Sequence, residues 1–337
     1  MTTALVSQHT RQQTPPADGG FLEDVINGLA LRPKQLPPKY FYDERGSQLF
    51  DKICALDEYY PYHVELELLP NVAADLGRFF QAELKGEDKD LAIIEFGAGS
   101  LRKISPLLDN IDCVKNVTAI DISKEHLLNS CAELRRQYTG LTVTAQAQDF
   151  TQPLGLDDPG DTRLGFFPGS TIGNLHRQQA LDFLRNAGQT LGPGGYLLIG
   201  VDTKKPESIL HQAYNDGRGV TAQFNKNILS RINRELDGDF DLMHFAHHAF
   251  YNRDYGRIEM HLRSLRAQRV HIAEREFYFA KGESIHTENS YKYHPSEFAE
   301  LARQAHWQTR RLWLAPNDLF AISLLQFSPA ACAIHDH

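Results

Sequence analysis

An α/β fold with a parallel sheet is what this sequence predicts, and three observations carry that expectation. Short apolar runs alternate with amphipathic helical stretches over residues 90–202, the pattern of βαβ units. The first of those runs, Leu91–Phe96, ends in a glycine-rich turn, Gly97-Ala-Gly99-Ser100. Three successive predicted strands end at or next to an acidic residue: Glu95, Asp121 and Asp149. In an open α/β sheet the carboxyl ends of the strands border one crevice, so these positions can converge on a single ligand.

The elements follow in order. Residues 1–20, with Pro15, Pro16, Gly19 and Gly20, are expected to be a disordered lead-in. Phe21, Val25, Ile26 and Leu29 share one helical face, and the helix should end before Pro33. An aromatic stretch, 37–61, holds Tyr40, Phe41, Tyr42, Phe50, Tyr59 and Tyr60, and a helix is expected over 64–80. Strands are expected at 91–96, 117–121, 141–145, 163–168 and 196–202. Between them, Ser123 suits the N-cap of a helix over 124–138 that turns Leu127, Leu128, Cys131 and Leu134 to one face. A further helix spans 177–191 and stops at Gly192-Pro-Gly-Gly195. Beyond Asp202 the pattern gives helices at 207–214 and 221–236, strands at 247–252, 257–264 and 269–279, a helix at 295–305 and a strand at 320–326.

Composition bounds the function. The chain has 337 residues, 35 Lys plus Arg against 43 Asp plus Glu, a net charge of −8, 42% apolar and 23% charged residues. That is a folded globular protein of one large or two medium domains, not a disordered tail. The acidic balance, and a basic stretch at 257–275 broken by Glu259 and Glu274, argue against nucleic acid. Cys54, Cys113, Cys131 and Cys332 are too sparse for a disulfide scaffold or a zinc cluster, so a reducing cytoplasm is expected. His244, His247 and His248 lack a suitably spaced acidic or Cys partner, and no metal is expected. The start of the chain lacks the basic-then-apolar pattern of a signal peptide, and no apolar run approaches the roughly 18 residues that span a bilayer.

The strand ends suit S-adenosylmethionine. Glycine at 97 and 99 lets the backbone approach a ligand, the following helix N-terminus can receive a carboxylate, and Glu95 can hold an ammonium. Asp121 can accept from two ribose hydroxyls; Asp149 can meet an adenine amine while the Phe150 ring packs on the base. A dinucleotide fingerprint would need glycine where Arg102 stands, which disfavours a nicotinamide oxidoreductase. A lone Gly-x-Gly is weak, and it is the three strand ends together that carry the reading.

Glu95-Phe-Gly-Ala-Gly-Ser100 in this setting resembles the class I S-adenosylmethionine-dependent methyltransferases. Longer stretches narrow the likeness: Phe41-Tyr-Asp-Glu-Arg-Gly-Ser-Gln-Leu-Phe50, Glu58-Tyr-Tyr-Pro61, Gly169-Ser-Thr-Ile-Gly-Asn-Leu175, Ala213-Tyr-Asn-Asp216, Gly219-Val-Thr-Ala-Gln-Phe-Asn225, Ile232-Asn-Arg-Glu-Leu236 and Arg257-Ile-Glu-Met260. Together they resemble the histidine N-alpha-methyltransferases of ergothioneine biosynthesis, over nearly the whole chain from residue 21. Gly97-Ala-Gly99 departs slightly, since relatives often carry Ser between the glycines.

The resemblance implies three methyl transfers to the alpha-amine of L-histidine, giving hercynine. It implies a Rossmann-like methyltransferase core, 65–204 plus 293–327, with a substrate-binding domain built from 21–64 plus 205–292. By motif position, Tyr42 and Tyr59 should face the substrate, Asn174 and Tyr214 should hold the amino-acid end, and Met260, Glu288 and Ser290 should surround the imidazole. Tyr42 is the candidate for handling the amine proton. Gly97, Lys103, Asp121, Asp149 and Phe150 occupy the cofactor positions, beside Glu95 and Gly99. Glu288 and Ser290 favour histidine over indole, because a carboxylate can accept a ring N–H and a hydroxyl can donate or accept. The expected partner is a small amino acid, with no nucleic acid or membrane, and the expected state is a monomer. Another amino-acid acceptor, such as tryptophan or a thiolated histidine, and a non-catalytic S-adenosylmethionine sensor are the alternatives.

Overall fold

The computed structural model describes residues 20–85, 90–152, 154–155 and 162–329; the expected lead-in falls outside them but for Gly20. Helix α1 (Phe21–Ala30) turns Phe21, Val25 and Leu29 inward, and a short strand β1 (Lys34–Gln35) follows. Helix α2 (Glu44–Cys54), unforeseen in the aromatic stretch, starts where the Asp43 carboxylate accepts the Gly46 N–H at 2.7 Å. Helix α3 (Tyr60–Glu83) starts earlier than its apolar pattern, because Pro61 suits a first turn that needs no N–H there.

Strand β2 (Leu91–Phe96) is buried at every position, as a central parallel strand must be. One helical turn, α4 (Ser105–Leu108), leads to β3 (Val114–Asp121), α5 (Lys124–Gln137), β4 (Thr142–Ala147), β5 (Thr162–Phe167), α6 (Arg177–Leu191) and β6 (Tyr196–Asp202). Ser123 occupies the N-cap of α5 as expected, but its side chain makes no capping bond: Ser123 Oγ instead receives the Ser47 hydroxyl at 3.3 Å.

Helices α7 (Glu207–Tyr214) and α8 (Val220–Glu235) precede β7 (Phe245–Asn252) and β8 (Arg257–Ser264). The single strand expected over 269–279 is a hairpin, β9 (Gln268–Ile272) and β10 (Arg275–Phe279), because the chain reverses at Ala273, whose φ is +48°. Strand β11 (Ser284–Tyr291) was not legible: Ser-Ile-His-Thr-Glu-Asn-Ser-Tyr is too polar to show an alternation, yet Thr287 to Ser290 are buried. After α9 (Pro295–Gln304), β12 (Trp307–Leu314) was equally hidden, being an edge strand with Arg310 and Arg311 exposed. Strand β13 (Phe320–Phe327) closes the fold.

Seven strands form one sheet in the order β12-β13-β6-β5-β2-β3-β4. The five from β6 to β4 are parallel, and β13 runs antiparallel to β6. The chain winds outward from β2 through β3 to β4, then restarts at β5 on the other side of β2, so a topological switch lies at the carboxyl ends of β2 and β5. One apolar core under this sheet includes Leu69, Leu76, Phe80, Leu127 and Leu134; the other includes Phe183, Leu184, Phe298, Leu301 and Trp307.

The second sheet, β1-β11-β8-β7, packs with α1, α2, α7 and α8 around a third core of Phe21, Val25, Phe41, Phe224, Ile228, Ile258 and Ile285. A parallel bridge between Thr203 and Tyr293 marks where the chain leaves the large sheet and returns to it. No helix among the described residues is long and apolar enough to cross a membrane.

Asp43 clamps this second layer. Besides capping α2 it accepts from Asn227 Nδ2 at 2.7 Å and Arg234 Nη2 at 2.6 Å on α8. A Cβ at Gly46 would stand 1.6 Å from the Phe41 carbonyl oxygen, which is backbone and has nowhere to go. Gly46→Ala is therefore expected to cost about 1–3 kcal/mol, as overpacking does. Gly140→Ala, whose Cβ meets nothing within 4 Å, should leave the denaturation midpoint nearly unchanged. Urea denaturation of the two variants checks the contrast.

Candidate active site

A cavity of about 820 Å³ opens over the carboxyl ends of β2 to β5 and runs to the edge of β11. Its walls come from both sheets. Gly97 and Gly99 both lie in the left-handed region, at φ +67° and +51°. A Cβ on Gly99 would meet no protein atom within 4 Å, so this turn borders open cavity; one on Gly97 would press on the Phe150 ring at 3.3 Å. The Asp121 carboxylate holds the turn in place by accepting the Gly99 N–H at 3.0 Å and the Ser123 N–H at 2.9 Å. A carboxylate has about four acceptor positions, so Asp121 retains capacity toward the cavity.

Glu95 is buried beneath the turn, and its Oε2 has no hydrogen-bond partner among the described residues. Burial pushes its carboxyl well above the ordinary range, partly offset by the Lys103 ammonium. Asp149 Oδ1 accepts from the Thr151 N–H and hydroxyl at 2.9 and 2.6 Å. Phe150 stands edge-on to Phe167 and Phe183, with centroids 5.3 and 5.8 Å away. Lys103 lines the cavity but its charge is already matched: Nζ lies 2.5 Å from Glu65 Oε2. Glu65, buried on α3, also accepts the Gly169 N–H at 2.8 and 3.0 Å, so this pair positions the loop after β5.

The other end of the cavity is aromatic. Tyr42, Phe50, Tyr59 and Tyr214 form a chain of edge-on rings, with successive centroids 5.8, 6.3 and 6.0 Å apart. Burial first, then the nearby Glu288 and Asp121 carboxyls, raise the Tyr42 phenol well above its ordinary value; burial does the same for Tyr59. Both stay protonated, so Tyr42 is a neutral hydrogen-bonding group and not a standing phenolate base. Asn174 ends a short turn, Thr171–Asn174, and lies half-buried on the wall.

On β11, Glu288 and Ser290 line the far end. Burial pushes the Glu288 carboxyl up to about 8, against the pull of the Lys292 ammonium, and its Oε2 has no partner among the described residues. Met260 departs from expectation. It pairs with Glu288 across β8 and β11 but is 2% exposed, packed in the core behind the wall and not among the lining residues. An apolar side chain one layer back can shape the pocket through the lining residues in front of it, Glu288 among them.

Sequence reasoning missed the charged group behind the cavity wall. Asp202, ending β6, binds Lys292 Nζ at 2.7 Å, Lys205 Nζ and the Tyr60 hydroxyl at 2.7 Å, all buried or half-buried. Lys292 Nζ also reaches Ser290 Oγ at 2.7 Å and the Tyr214 hydroxyl at 3.2 Å. No local motif announces such a group, because its members lie on four separate segments. Among the described residues, Glu259, His261 and His286 bring potential metal-ligand atoms within 4.8 Å. Glu259 Oε1 is already taken by Arg257 at 2.8 and 2.6 Å, and we assign no cation there.

Comparisons with known proteins bear on the family of the whole chain. A family model described as histidine-specific, SAM-dependent methyltransferase matches residues 21–327. A histidine N-alpha-methyltransferase of Mycolicibacterium smegmatis is 40% identical, over 89% of this chain and 93% of that one. Another, of Mycobacterium tuberculosis, is 37% identical over 91% and 96%. Ergothioneine biosynthesis protein 1 of Schizosaccharomyces pombe is 29% identical over 81% of this chain, which spans 36% of that longer protein.

Glu288 also makes a stability prediction. Its folded value of about 8 lies above the unfolded carboxyl's, so the folded chain retains a proton that the unfolded chain releases. The stability it contributes is complete below about pH 4.3, is lost progressively up to about pH 8, and changes at most by about 1.4 kcal/mol per pH unit. Glu288→Gln removes this term. Denaturant titrations at about pH 6 and about pH 8 should show the ligand-free wild type losing about 2 kcal/mol more than the variant between those two values.

Proposed function

The chain belongs to the histidine-specific, SAM-dependent methyltransferase family, and we propose that it moves three methyl groups from S-adenosylmethionine to the alpha-amine of L-histidine, yielding hercynine for ergothioneine biosynthesis. One observation carries the reading: a single cavity joins the strand ends that suit the cofactor to the buried Glu288 and Ser290, with an aromatic wall between. Identity of 37–40% to histidine N-alpha-methyltransferases along most of the chain supports the same acceptor.

The residues at the strand ends fit the cofactor. The unpartnered, buried Glu95 Oε2 suits an ammonium, the open cradle at Gly99 suits close backbone approach, and Asp121 retains acceptor capacity for a ribose diol. Gly97, Phe150 and Asp149 complete that end, and Lys103 acts on it through Glu65 and the Gly169 loop. The bound cofactor supplies an electrophilic methyl group on a sulfonium.

What remains for the protein is positioning, proton removal and exclusion of water. Asn174 is assigned to the amino-acid end, with the carboxylate as the natural partner of its amide; Tyr214, expected there too, donates its hydroxyl to Ser290 Oγ at 2.7 Å and so stands with the imidazole end instead. Glu288 and Ser290 are assigned to the imidazole, which keeps the ring nitrogens away from the methyl donor. Tyr42 and Tyr59 present neutral phenols and π faces, which tolerate a methylammonium as its charge becomes permanent. The amine must lose a proton before each transfer. As a protonated phenol, Tyr42 can accept a hydrogen bond from the ammonium and pass the proton outward through water.

We assign 65–204 with 293–327 as the methyltransferase core and 21–64 with 205–292 as the substrate-binding part. This division is supported by the separate apolar cores on either side of the cavity. One chain builds the whole cavity, which suits a monomer acting on a small amino acid, with no role for nucleic acid or membrane. Unpaired Cys54, Cys113 and Cys131 suit a reducing cytoplasm.

Mass spectrometry of L-histidine incubated with the protein and S-adenosylmethionine should show gains of one, two and three methyl units. A panel including tryptophan and a thiolated histidine should show no comparable turnover, and preferential methylation of either would replace the acceptor assigned here. Glu288→Ala should raise the histidine KM about tenfold, the worth of a buried hydrogen bond between neutral groups. Its affinity for S-adenosylhomocysteine, measured by calorimetry, should stay within about twofold because Glu288 lies at the opposite end.

A further inference from the structure

We propose that Lys292 fixes the direction of the Ser290 hydroxyl proton, so that the far end of the cavity admits only a neutral imidazole in one tautomer, its unprotonated nitrogen toward Ser290. The proposal rests on histidine being the acceptor. It follows from counting donors and lone pairs.

Lys292 Nζ is wholly buried and lies 2.7 Å from Asp202 Oδ2, 2.7 Å from Ser290 Oγ and 3.2 Å from the Tyr214 hydroxyl. An ammonium has three N–H donors and no lone pair, so all three are committed. Asp202, equally buried, keeps the lysine charged, raising its value above the ordinary one against the cost of burial. Tyr214 stands 2.7 Å from Ser290 Oγ and, as a phenol, is the more acidic hydroxyl of the two, so it donates.

A hydroxyl oxygen has two lone pairs, and those of Ser290 are filled by Lys292 and Tyr214. What Ser290 has left is its O–H. Glu288 and Ser290 sit two residues apart on β11 and both border the cavity. A ring held between them meets a donor at Ser290 and, at Glu288, a carboxyl that keeps an acceptor oxygen even while it holds its proton. An imidazolium, with N–H on both nitrogens, would leave one N–H facing an oxygen with no lone pair to offer. The opposite tautomer fails at the same atom. Lys292 touches neither cofactor nor reacting atoms in this arrangement and is a positioning residue.

The test uses the full chain with S-adenosylhomocysteine and L-histidine labelled with 15N at both ring nitrogens. Near pH 6 free imidazole, of ordinary value about 6.5, is largely protonated. The bound ring should nonetheless show one pyridine-type and one pyrrole-type nitrogen. Two pyrrole-type resonances, or an average of two tautomers, would overturn the proposal. Lys292→Met returns a lone pair to Ser290 and leaves Asp202 its Lys205 and Tyr60 donors.

In that variant the two tautomers should mix and the histidine KM should rise about tenfold, with S-adenosylhomocysteine affinity within about twofold. An unchanged tautomer and KM would show that Lys292 has no such role. Should Lys292→Met fail to fold, Tyr214→Phe frees the second Ser290 lone pair by removing the other donor, and its spectrum decides. Absence of methylated histidine would defeat the parent reading, whereas methylation of a ring bound as imidazolium would defeat this inference alone.

Discussion

The buried ion pair between Asp202 and Lys292 is the constraint on which the rest of the cavity depends. Asp202 ends β6 of the large sheet, and Lys292 follows β11 of the small one, with both side chains fully removed from solvent. A carboxylate in that position is tolerable only when its oxygens are saturated, because desolvating an unpaired charge costs several kcal/mol. Lys292, Lys205 and the Tyr60 hydroxyl saturate it. The three donors come from the end of the small sheet, the loop after β6 and the first turn of α3, so one carboxylate registers three segments. Neighbouring chain then has little freedom. Tyr59 precedes Tyr60, and Ser290 sits two residues before Lys292 on an extended strand, which puts both on the same side.

A second buried pair repeats the device at the other end. Glu65 and Lys103 join α3 to the segment after the glycine turn, and Glu65 also holds the Gly169 amide of the loop after β5. Helix α3 therefore carries an anchor to each half of the cavity, Tyr60 near its start and Glu65 one turn further on. Between the anchors the groups that line the cavity are neutral or unpartnered: the raised phenols of Tyr42 and Tyr59, and the buried Glu95 and Glu288. The charges that support the cavity are paired off. The capacity left over faces inward, which is what a site handling a zwitterion and a sulfonium needs.

Legibility followed the length of the local signal. The strands of the large sheet read clearly because apolar runs bounded by glycine or acidic residues are short-range patterns, and the turn at Gly97 and Gly99 lay where such runs end. Strand β11 did not, since apart from Ile285 its buried residues are Thr287, Glu288, Asn289 and Ser290, and polar burial has no signature in a single segment. Helix α2 was masked by its setting among aromatic residues, and the hairpin of β9 and β10 by the absence of a glycine at Ala273. Met260 was expected at the imidazole from its motif position alone, and a motif does not tell whether a side chain reaches the cavity or packs in the core behind Glu288.

By itself the sequence determined the α/β class, the strand ends at Glu95, Asp121 and Asp149, and, through long ordered motifs, the resemblance to a family whose model spans residues 21–327. Those features depend on neighbours in the chain, and hydrophobic period and turn chemistry are written there. Tertiary structure alone decided which charges meet. Asp202 and Lys292, or Glu65 and Gly169, lie far apart in sequence and come together only once two sheets and a helix have packed. Whether a buried carboxyl is paired or left with an unused oxygen is a property of that packing, and it separates Asp202, which stands behind the cavity, from Glu95 and Glu288, which line it.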